Sequence, residues 1–256
     1  ERLVMARRRR YNRKRRRGSF AFLYKLLAFV LICGAIGLAL AMFFKIEDIE
    51  ISGNSRYSKE QIVAAAEVKP GDNLFLLNKY DAAARIRQQL PYVETVQFRR
   101  VLPNKLVVQV TECRDPVAIK QDGTVYLLCN KGNIVDTVSA AKWSQYIQIE
   151  GLTLLDPQVG AEARAAATQQ SVLERLLTIL TLLDDKGMLH QVQVIDLSDA
   201  ARITIRYMDR FDVQFLWDAD FDYKLDYLAA VADKLEDNEK GTIDMTQEGK
   251  ASFIPG

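Results

Sequence analysis

The residues that could do chemistry are few and scattered along the 256-residue chain. The single histidine, His190, follows a predicted helix end, where we expect a structural or solvated side chain. An enzyme needs a nucleophile with a base, paired carboxylates, metal ligands or a cofactor loop. The sequence has no G-x-S-x-G, no S-x-x-K accompanied by its partner motifs and no glycine-rich phosphate loop. We therefore predict that the chain is not an enzyme and uses no cofactor.

The acidic residues and cysteines leave two alternatives open. Asp218, Asp220 and Asp222 have a spacing that calcium sites use, but the glycine and closing glutamate of an EF-hand loop are missing. We interpret these acids as helix caps and solvated groups. Cys113 and Cys129 could form a disulfide if adjacent strands bring them together, although two cysteines do not make a disulfide framework. We interpret them as small apolar residues.

The element that must position everything else is an uncharged run over residues 26–44. As a helix it would be about 28 Å long, close to the roughly 30 Å hydrocarbon core of a bilayer. The pattern Ala39-Leu40-Ala41 also fits a cleaved signal peptide, but the run is longer than a usual signal core. We predict a retained membrane anchor, whose main apolar residues are Leu26, Phe29, Leu31, Ile36, Leu40 and Phe44.

The charges around this run predict its orientation. Residues 1–25 contain eleven basic residues and one acidic residue, whereas residues 45–256 contain 24 basic and 32 acidic residues. Basic flanks stay in the cytoplasm, so residues 45–256 are predicted to lie on the outer face of the membrane. Topology and attraction to anionic lipids explain the tail better than nucleic-acid binding does. The clustered arginines are Arg7, Arg8, Arg9, Arg10, Arg15, Arg16 and Arg17.

The first 69 residues after the anchor, 45–113, predict a small domain in the order strand, helix, helix, strand, strand. Ile46, Ile49 and Ile51 alternate with acids, which indicates a strand. Ser58 and Gln61 have capping-box spacing at the first predicted helix, and a second helix is predicted over residues 79–90. Residues 95–101 and 105–112 predict a hairpin. The core candidates are Leu74, Phe75, Leu77, Val96, Phe98, Leu106, Val108 and Val110.

Residues 114–256 predict a second domain with many short strands. A three-strand meander over residues 117–138 has turns at Asp122-Gly123 and Lys131-Gly132. Amphipathic helices are predicted over residues 171–187 and 218–237. Further strands are predicted over residues 146–151, 191–197, 201–207 and 211–217, and the chain ends in one or two strands after residue 241.

Several motifs in these segments occur together in one known family. They are I-x-I-x-G-N from Ile49, G-x-N-L-F from Gly71, P-Y-V from Pro91 and R-x-L-P-N-x-L-x-V-x-V-x-E from Arg100. With V-I-D-L and T-I-D-M later in the chain, this set closely resembles the FtsQ/DivIB bacterial cell-division family. The resemblance spans residues 20–255 and implies an α+β fold: one transmembrane helix, a βααββ POTRA-like domain, and a mixed or antiparallel sheet domain with two helices.

The family resemblance also implies a function and partners. We expect a non-enzymatic single-pass scaffold at the division septum, assembled with bitopic coiled-coil proteins of the FtsB/DivIC and FtsL types. That complex would control septal peptidoglycan synthesis, with septal peptidoglycan synthases as further candidate partners. The resemblance places the FtsB/DivIC-type partner at the exposed closing edge of the second domain, at Ile243, Asp244, Met245, Thr246, Gln247, Ser252 and Phe253.

Strand addition at this edge predicts that Thr246→Pro weakens partner binding by removing one backbone donor. Two other functions remain open from the sequence. One is a membrane-anchored cell-wall enzyme or its regulator without a division role. The other is a POTRA-type chaperone, although the sequence has only one strand-helix-helix-strand-strand unit, where such chaperones use tandem copies.

Overall fold

The structure is a computed structural model that describes residues 20–236 and 238–256. The first element, α1, is a helix over Phe20–Phe43. Its segment Phe22–Leu40 is long and apolar enough to cross a membrane, and none of that segment is buried inside the protein. The predicted anchor therefore corresponds to one continuous helix. The seven clustered arginines lie outside the described residues.

The first domain has the predicted strand and helix order. Its elements are β1 (Asp48–Ser52), α2 (Lys59–Ala66), α3 (Lys79–Gln89), β2 (Val93–Val101) and β3 (Lys105–Glu112). The three strands form a sheet of order β1-β3-β2, in which β1 is parallel to β3 and β2 is antiparallel to it. At the start of α2 the Gln61 N–H donates to Ser58 Oγ and the Ser58 N–H donates to Gln61 Oε1. The capping box is thus confirmed.

The helices of the first domain pack against one face of its sheet. Ile62, Ile86 and Leu106 are fully buried in this core, and so is the predicted core residue Leu74. Phe75 departs from the prediction, since 49% of it is exposed. It lies in the turn between α2 and α3, where only one of two consecutive apolar side chains can point into the core.

The second domain is built on a nine-stranded sheet of order β12-β11-β10-β9-β8-β7-β4-β5-β6. Its strands are β4 (Val117–Gln121), β5 (Thr124–Leu128), β6 (Ile134–Ser139), β7 (Ile147–Glu150), β8 (Val192–Asp196), β9 (Arg202–Tyr207), β10 (Phe211–Leu216), β11 (Gly241–Asp244) and β12 (Ser252–Pro255). Its helices are α4 (Gln170–Asp185) and α5 (Phe221–Ala232), and 3₁₀ turns occupy Ala140–Gln145 and Leu189–Gln191.

The two helices of this domain are the crossovers of two of the three parallel strand pairs that the structure describes in this sheet. β7 is parallel to β8 and β10 is parallel to β11, and the connections between them contain α4 and α5. Parallel neighbours need long connections. Between β4 and β7, the third parallel pair, the connection contains β5, β6 and the 3₁₀ turn Ala140–Gln145. Leu176 and Leu180 of α4 and Leu225 and Leu228 of α5 are fully buried in one core with the sheet. The mixed sheet and its two helices match the predicted fold class.

Candidate partner-binding edge

The nine-stranded sheet ends in β12, the last strand of the chain. Strand β11 is not itself an edge, because it pairs in parallel with β10 and antiparallel with β12. Within β11 and β12, Ile243 lies opposite Phe253 and Asp244 lies opposite Ser252. The exposed edge at this end of the sheet is therefore the four-residue strand Ser252–Pro255.

The register shows which backbone groups of β12 point away from the sheet. The Gly241 N–H donates to Arg210 O and the Met245 N–H donates to Gln214 O, so odd-numbered residues of β11 face β10. Even-numbered residues of β11 then face β12, where they meet Ser252 and Ile254. The backbone of Phe253 consequently points outward, with one N–H and one C=O free to pair with another strand.

Side chains near this edge divide between the two faces of the sheet. Phe253 is half-buried, and its ring meets that of Phe211 edge to face at a centroid distance of 6.0 Å. Its neighbour Ile254 lies on the opposite face and is 56% exposed. A strand added to β12 would therefore gain backbone hydrogen bonds at Phe253 and an apolar contact at Ile254.

Lys224 of α5 holds the connection between β11 and β12 in place. Only 7% of this lysine is exposed, and its Nζ donates to Met245 O at 2.8 Å and to Gln247 O at 2.6 Å. A buried ammonium needs such acceptors because its hydration is lost. The helix thereby fixes where β11 ends. The sequence marks Lys224 only as a lysine on an otherwise apolar helix face, and this is the signal that could have found it.

A local turn ends β11 directly before the Lys224 contacts. The Thr246 N–H donates to Asp244 Oδ1 at 2.8 Å, and Thr246 Oγ1 donates to the same oxygen at 2.6 Å. The hydroxyl donor of Thr246 is the main cause that lowers the pKa of Asp244, with its backbone N–H next. The Thr246 N–H is therefore already paired and lies outside the edge strand. The premise of Thr246→Pro as an edge-donor test is wrong.

The predicted site residues thus have different surroundings. Ile243 and Met245 are fully buried in the core, so their side chains cannot meet a partner on this surface. Asp244, Thr246 and Ser252 are half-buried, and Gln247 is exposed. The seven residues are brought together at one end of the sheet, but only Ser252 and Phe253 belong to the edge strand.

The junction between the two domains contains the cysteine pair. Cys113 and Cys129 form a disulfide with a Cα–Cα distance of 6.0 Å, which joins the end of the first domain to the turn after β5. This decides the pairing that the sequence left open, and it replaces the interpretation of two free apolar residues. Glu94 lies close enough to complete a three-ligand group with both sulfurs, but the disulfide uses both thiols. Burial raises the pKa of Glu94.

Hydrogen bonds to Glu112, the residue before Cys113, stabilise the first-domain side of this junction. The Glu112 carboxylate accepts from the Ser55 N–H, the Ser55 hydroxyl and the Arg56 N–H, each at 2.7 Å, and from the Tyr57 N–H at 3.2 Å. Burial acts to raise the pKa of Glu112, but these donors outweigh it and lower the pKa below its usual value. The loop after β1 is thus tied to the end of β3.

Tyr92 carries the contact from the first domain to the second. The Arg56 guanidinium lies 3.7 Å from the centre of the Tyr92 ring, and the Tyr92 hydroxyl donates to Asp136 Oδ2 at 3.2 Å. Burial, followed by the nearby Asp136 charge, raises the pKa of Tyr92 to about 12. Tyr92 is therefore a neutral donor at physiological pH, and its ring belongs to a small core shared by both domains.

The remaining residues with possible chemistry have structural surroundings. Asp220 caps α5, because its Oδ1 accepts from the Tyr223 N–H at 3.3 Å, which confirms the capping interpretation for this residue. Asp222 pairs with Lys186 at 2.8 Å rather than turning toward Asp220. His190 is exposed in the 3₁₀ turn Leu189–Gln191.

Two family models match this chain, and together they cover most of both domains. The model for the POTRA domain, FtsQ-type, matches residues 44–112. The model for the cell division protein FtsQ/DivIB, C-terminal, matches residues 117–246. The second match ends within the turn held by Lys224, before β12 begins.

Similar proteins of known name come from several bacteria. The cell division protein DivIB of Clostridium botulinum strain Hall is 28% identical over 220 residues, which are 82% of each chain. The DivIB of Clostridium tetani is 22% identical over 213 residues, 81% of this chain and 78% of the relative. The cell division protein FtsQ of Geotalea daltonii is 29% identical over 196 residues, 76% of this chain and 69% of the relative.

Proposed function

Because this chain belongs to the FtsQ/DivIB family of bacterial cell-division proteins, we propose that it is a non-enzymatic scaffold of the division machinery. It assembles with small bitopic coiled-coil proteins of the FtsB/DivIC and FtsL types. Through them it helps to control septal peptidoglycan synthesis.

The proposed location follows from α1 and the charges before it. Within the described residues, one helix that could span a bilayer precedes both domains, and eleven of the first 25 residues of the sequence are basic. We propose a single-pass protein whose N-terminus is cytoplasmic and whose two domains lie outside, at the septum. Such an anchor brings the domains to the same membrane surface as bitopic partners.

The observation that carries the partner proposal is the outer side of β12, which pairs with no other strand of the described residues. The outward N–H of Phe253 can donate to one more strand and its outward C=O can accept from it, and Ile254 adds an exposed apolar side chain beside them. Lys224 and the Asp244–Thr246 turn hold the preceding strand rigid, so little ordering is needed when a partner binds. This favours strand addition of an FtsB/DivIC-type segment.

The experiment compares two substitutions at one position, in the full chain in nanodiscs. Phe253→Pro removes the outward N–H together with the ring, whereas Phe253→Ala removes only the ring. Proline is compatible with an edge strand whose N–H points away from the sheet. We expect Phe253→Pro to bind the outer segment of the FtsB/DivIC-type partner about tenfold more weakly than Phe253→Ala does, the loss of one hydrogen bond.

The comparison removes packing effects because both variants lack the ring. Equal affinities for the two variants, with circular dichroism showing both folded, would contradict strand addition at β12. The septal location is tested separately by a fluorescent fusion in dividing cells. An even distribution around the envelope would contradict the proposed location at the septum. The family assignment does not depend on this result.

A labelling test of the topology needs an introduced thiol, because Cys113 and Cys129 are bonded to each other. Ser144 is exposed in the second domain, so Ser144→Cys offers an accessible site. An impermeant maleimide should label this variant in intact cells or, where an outer membrane is present, after that membrane is opened. Labelling only after the inner membrane is broken would reverse the proposed orientation.

A further inference from the structure

The strand register identifies which end of the first domain lies against α1. Helix α1 ends at Phe43 and the chain enters β1 at Asp48, which lies opposite Lys105 at the start of β3. Strand β2 runs back to the same end, where Val101 lies opposite Lys105. From there β3 runs away for eight residues, about 25 Å, to the domain junction. The turn between β2 and β3 is therefore next to the end of α1.

The exposed apolar side chains of the first domain are concentrated at this end. Within residues 45–112, all of which are described, the exposed large apolar residues are Phe75 (49%), Leu76 (80%), Tyr80 (75%), Val101 (38%) and Leu102 (56%). We call these five residues the α1-proximal rim. Arg100, which precedes the rim residues of the β2–β3 turn, contacts the segment that contains the other rim residues. Its guanidinium donates to Leu77 O at 3.3 Å and lies 5.7 Å from the Phe75 ring centre.

The end of α1 contacts the segment that leads into the α1-proximal rim. Asn73 Nδ2 donates to Leu40 O at 3.1 Å, and the Leu74 N–H donates to Phe44 O at 2.9 Å. The Phe44 and Phe75 rings meet edge to face at a centroid distance of 5.1 Å. The Phe44–Phe75 contact therefore connects the apolar surface of α1 to the rim.

The polar residues around the rim suit a lipid headgroup region. Lys79 lies over the Tyr80 ring at 5.2 Å, and Arg100 lies over Phe75, so each cation accompanies an exposed aromatic ring. Of the nearby acids, Asp48 and Glu50 pair with Lys105. Glu47 accepts a hydrogen bond from Asn104 Nδ2, and Asp81 accepts one from Asn78 Nδ2. Aromatic rings and long basic side chains are the residues that favour the boundary between hydrocarbon and water.

We propose that the α1-proximal rim lies in the headgroup region of the leaflet at the C-terminal end of α1. This rests on the proposed membrane anchor, because lipids around Phe43 and Phe44 reach the rim only if α1 spans a bilayer. The rim then fixes the tilt of the first domain and holds the domain junction about 25 Å above the membrane, the length of β3. The partner-binding edge is thereby presented at a set height.

The experiment measures the depth of a label on the full chain, reconstituted into lipid vesicles without any other protein. Leu76→Cys in a Cys33→Ala background is labelled with an NBD maleimide, and the disulfide keeps Cys113 and Cys129 unreactive. The matched control is Leu155→Cys, an exposed apolar residue (48%) of the second domain. Lipids with a doxyl group near the headgroup should quench the label at residue 76 about twofold more than the label at residue 155.

A second variant tests whether the label itself causes insertion. Tyr80→Asp with Leu102→Asp makes the rim polar without touching the labelled position, and quenching at residue 76 should then fall to the level at residue 155. Retained quenching in this variant would overturn the proposal, because it would come from the label alone.

The native Cys33 separates failure of the rim from failure of the anchor. In the unmodified chain, NBD on Cys33 should be quenched by lipids with a doxyl group deep in the acyl chain. Quenching at Cys33 without quenching at residue 76 would overturn the rim proposal and keep the anchor; a rim that binds a protein partner instead of lipid would give this result. No quenching at Cys33 would overturn the anchor and the rim together.

Discussion

Replacing Lys224 by methionine tests whether α5 holds the closing strands in place. Methionine has a similar length and no donor, so Lys224→Met removes both hydrogen bonds from the ammonium to Met245 O and Gln247 O. A hydrogen bond to a charged group contributes about 1.5–3 kcal/mol. The Met245 bond is buried, whereas Gln247 is exposed and its carbonyl can turn to water.

The expected net loss is smaller than the sum of the two bonds. Methionine avoids the cost of burying a charge and packs well in an apolar site, which offsets part of the loss. We expect Lys224→Met to lower the free energy of unfolding by about 2 kcal/mol, and Lys224→Gln, which keeps a donor, by about 1 kcal/mol. For a domain of this size the first value corresponds to about 4–8 °C in Tm.

Denaturant unfolding of the full chain in detergent, followed by tryptophan fluorescence, measures this loss because Trp217 packs against the same core. Hydrogen exchange should also rise in residues 245–251, which connect β11 to β12. Lys234→Met is the matched control, since Lys234 is exposed and its loss should cost less than about 0.5 kcal/mol. If Lys224→Met and Lys234→Met are equally stable, the Lys224 bonds do not hold the edge.

Three further substitutions concern the first domain and the junction. Glu112→Gln should cost about 1–2 kcal/mol at pH 7. Because the folded pKa of Glu112 is lowered, its stabilisation is present above the unfolded pKa of about 4.3 and is lost as the pH falls through the folded value. Cys113→Ser with Cys129→Ser should cost about 3 kcal/mol, since the disulfide spans 16 residues. Gly53→Ala should cost more than about 2 kcal/mol, because φ is +84° and the new Cβ would overlap Val110 O.

Each of these three has its own control. Glu150 is exposed, so Glu150→Gln should leave the loss of stability at acidic pH unchanged. If Glu112→Gln kept the wild-type dependence of stability on pH, the Glu112 carboxylate would not be the group that causes this loss. A reductant should destabilise the wild type and leave the double serine variant unchanged. Gly71 also has a positive φ, but a Cβ added there would have no atom within 4 Å. Gly71→Ala therefore measures the cost in stability of the backbone conformation alone. Equal losses of stability in Gly53→Ala and Gly71→Ala would contradict the predicted overlap with Val110 O.

Much of the fold could be predicted because its signals are local. The capping box at Ser58 and Gln61 needs residues only three apart, and it forms as predicted. The apolar spacing of α4 likewise places Leu173, Leu176 and Leu180 on one buried face. Helical periodicity depends on neighbours along the chain, so a single sequence contains it.

The sequence predicted that the chain closes the sheet after residue 241, but not which closing strand forms the edge. The T-I-D-M segment correctly marks the last part of the sheet, yet alternation alone cannot say that β11 lies inside it and β12 outside. Ile243 and Met245 therefore changed from candidate contacts to core residues, and Phe253 became the outward backbone position. Strand order depends on which distant segments pair, and local pattern does not carry that information.

By itself the sequence determined the uncharged helix, the order of the strands and helices along the chain, and the family, because each depends on residue types at fixed short spacing. Only the tertiary structure decided that Cys113 meets Cys129, that Lys224 holds the carbonyls after β11, and that Phe75 stays half exposed beside Phe44. These contacts join residues between 16 and 31 positions apart along the chain. They form only where the folded backbone brings two segments together, which is a property of packing rather than of local sequence.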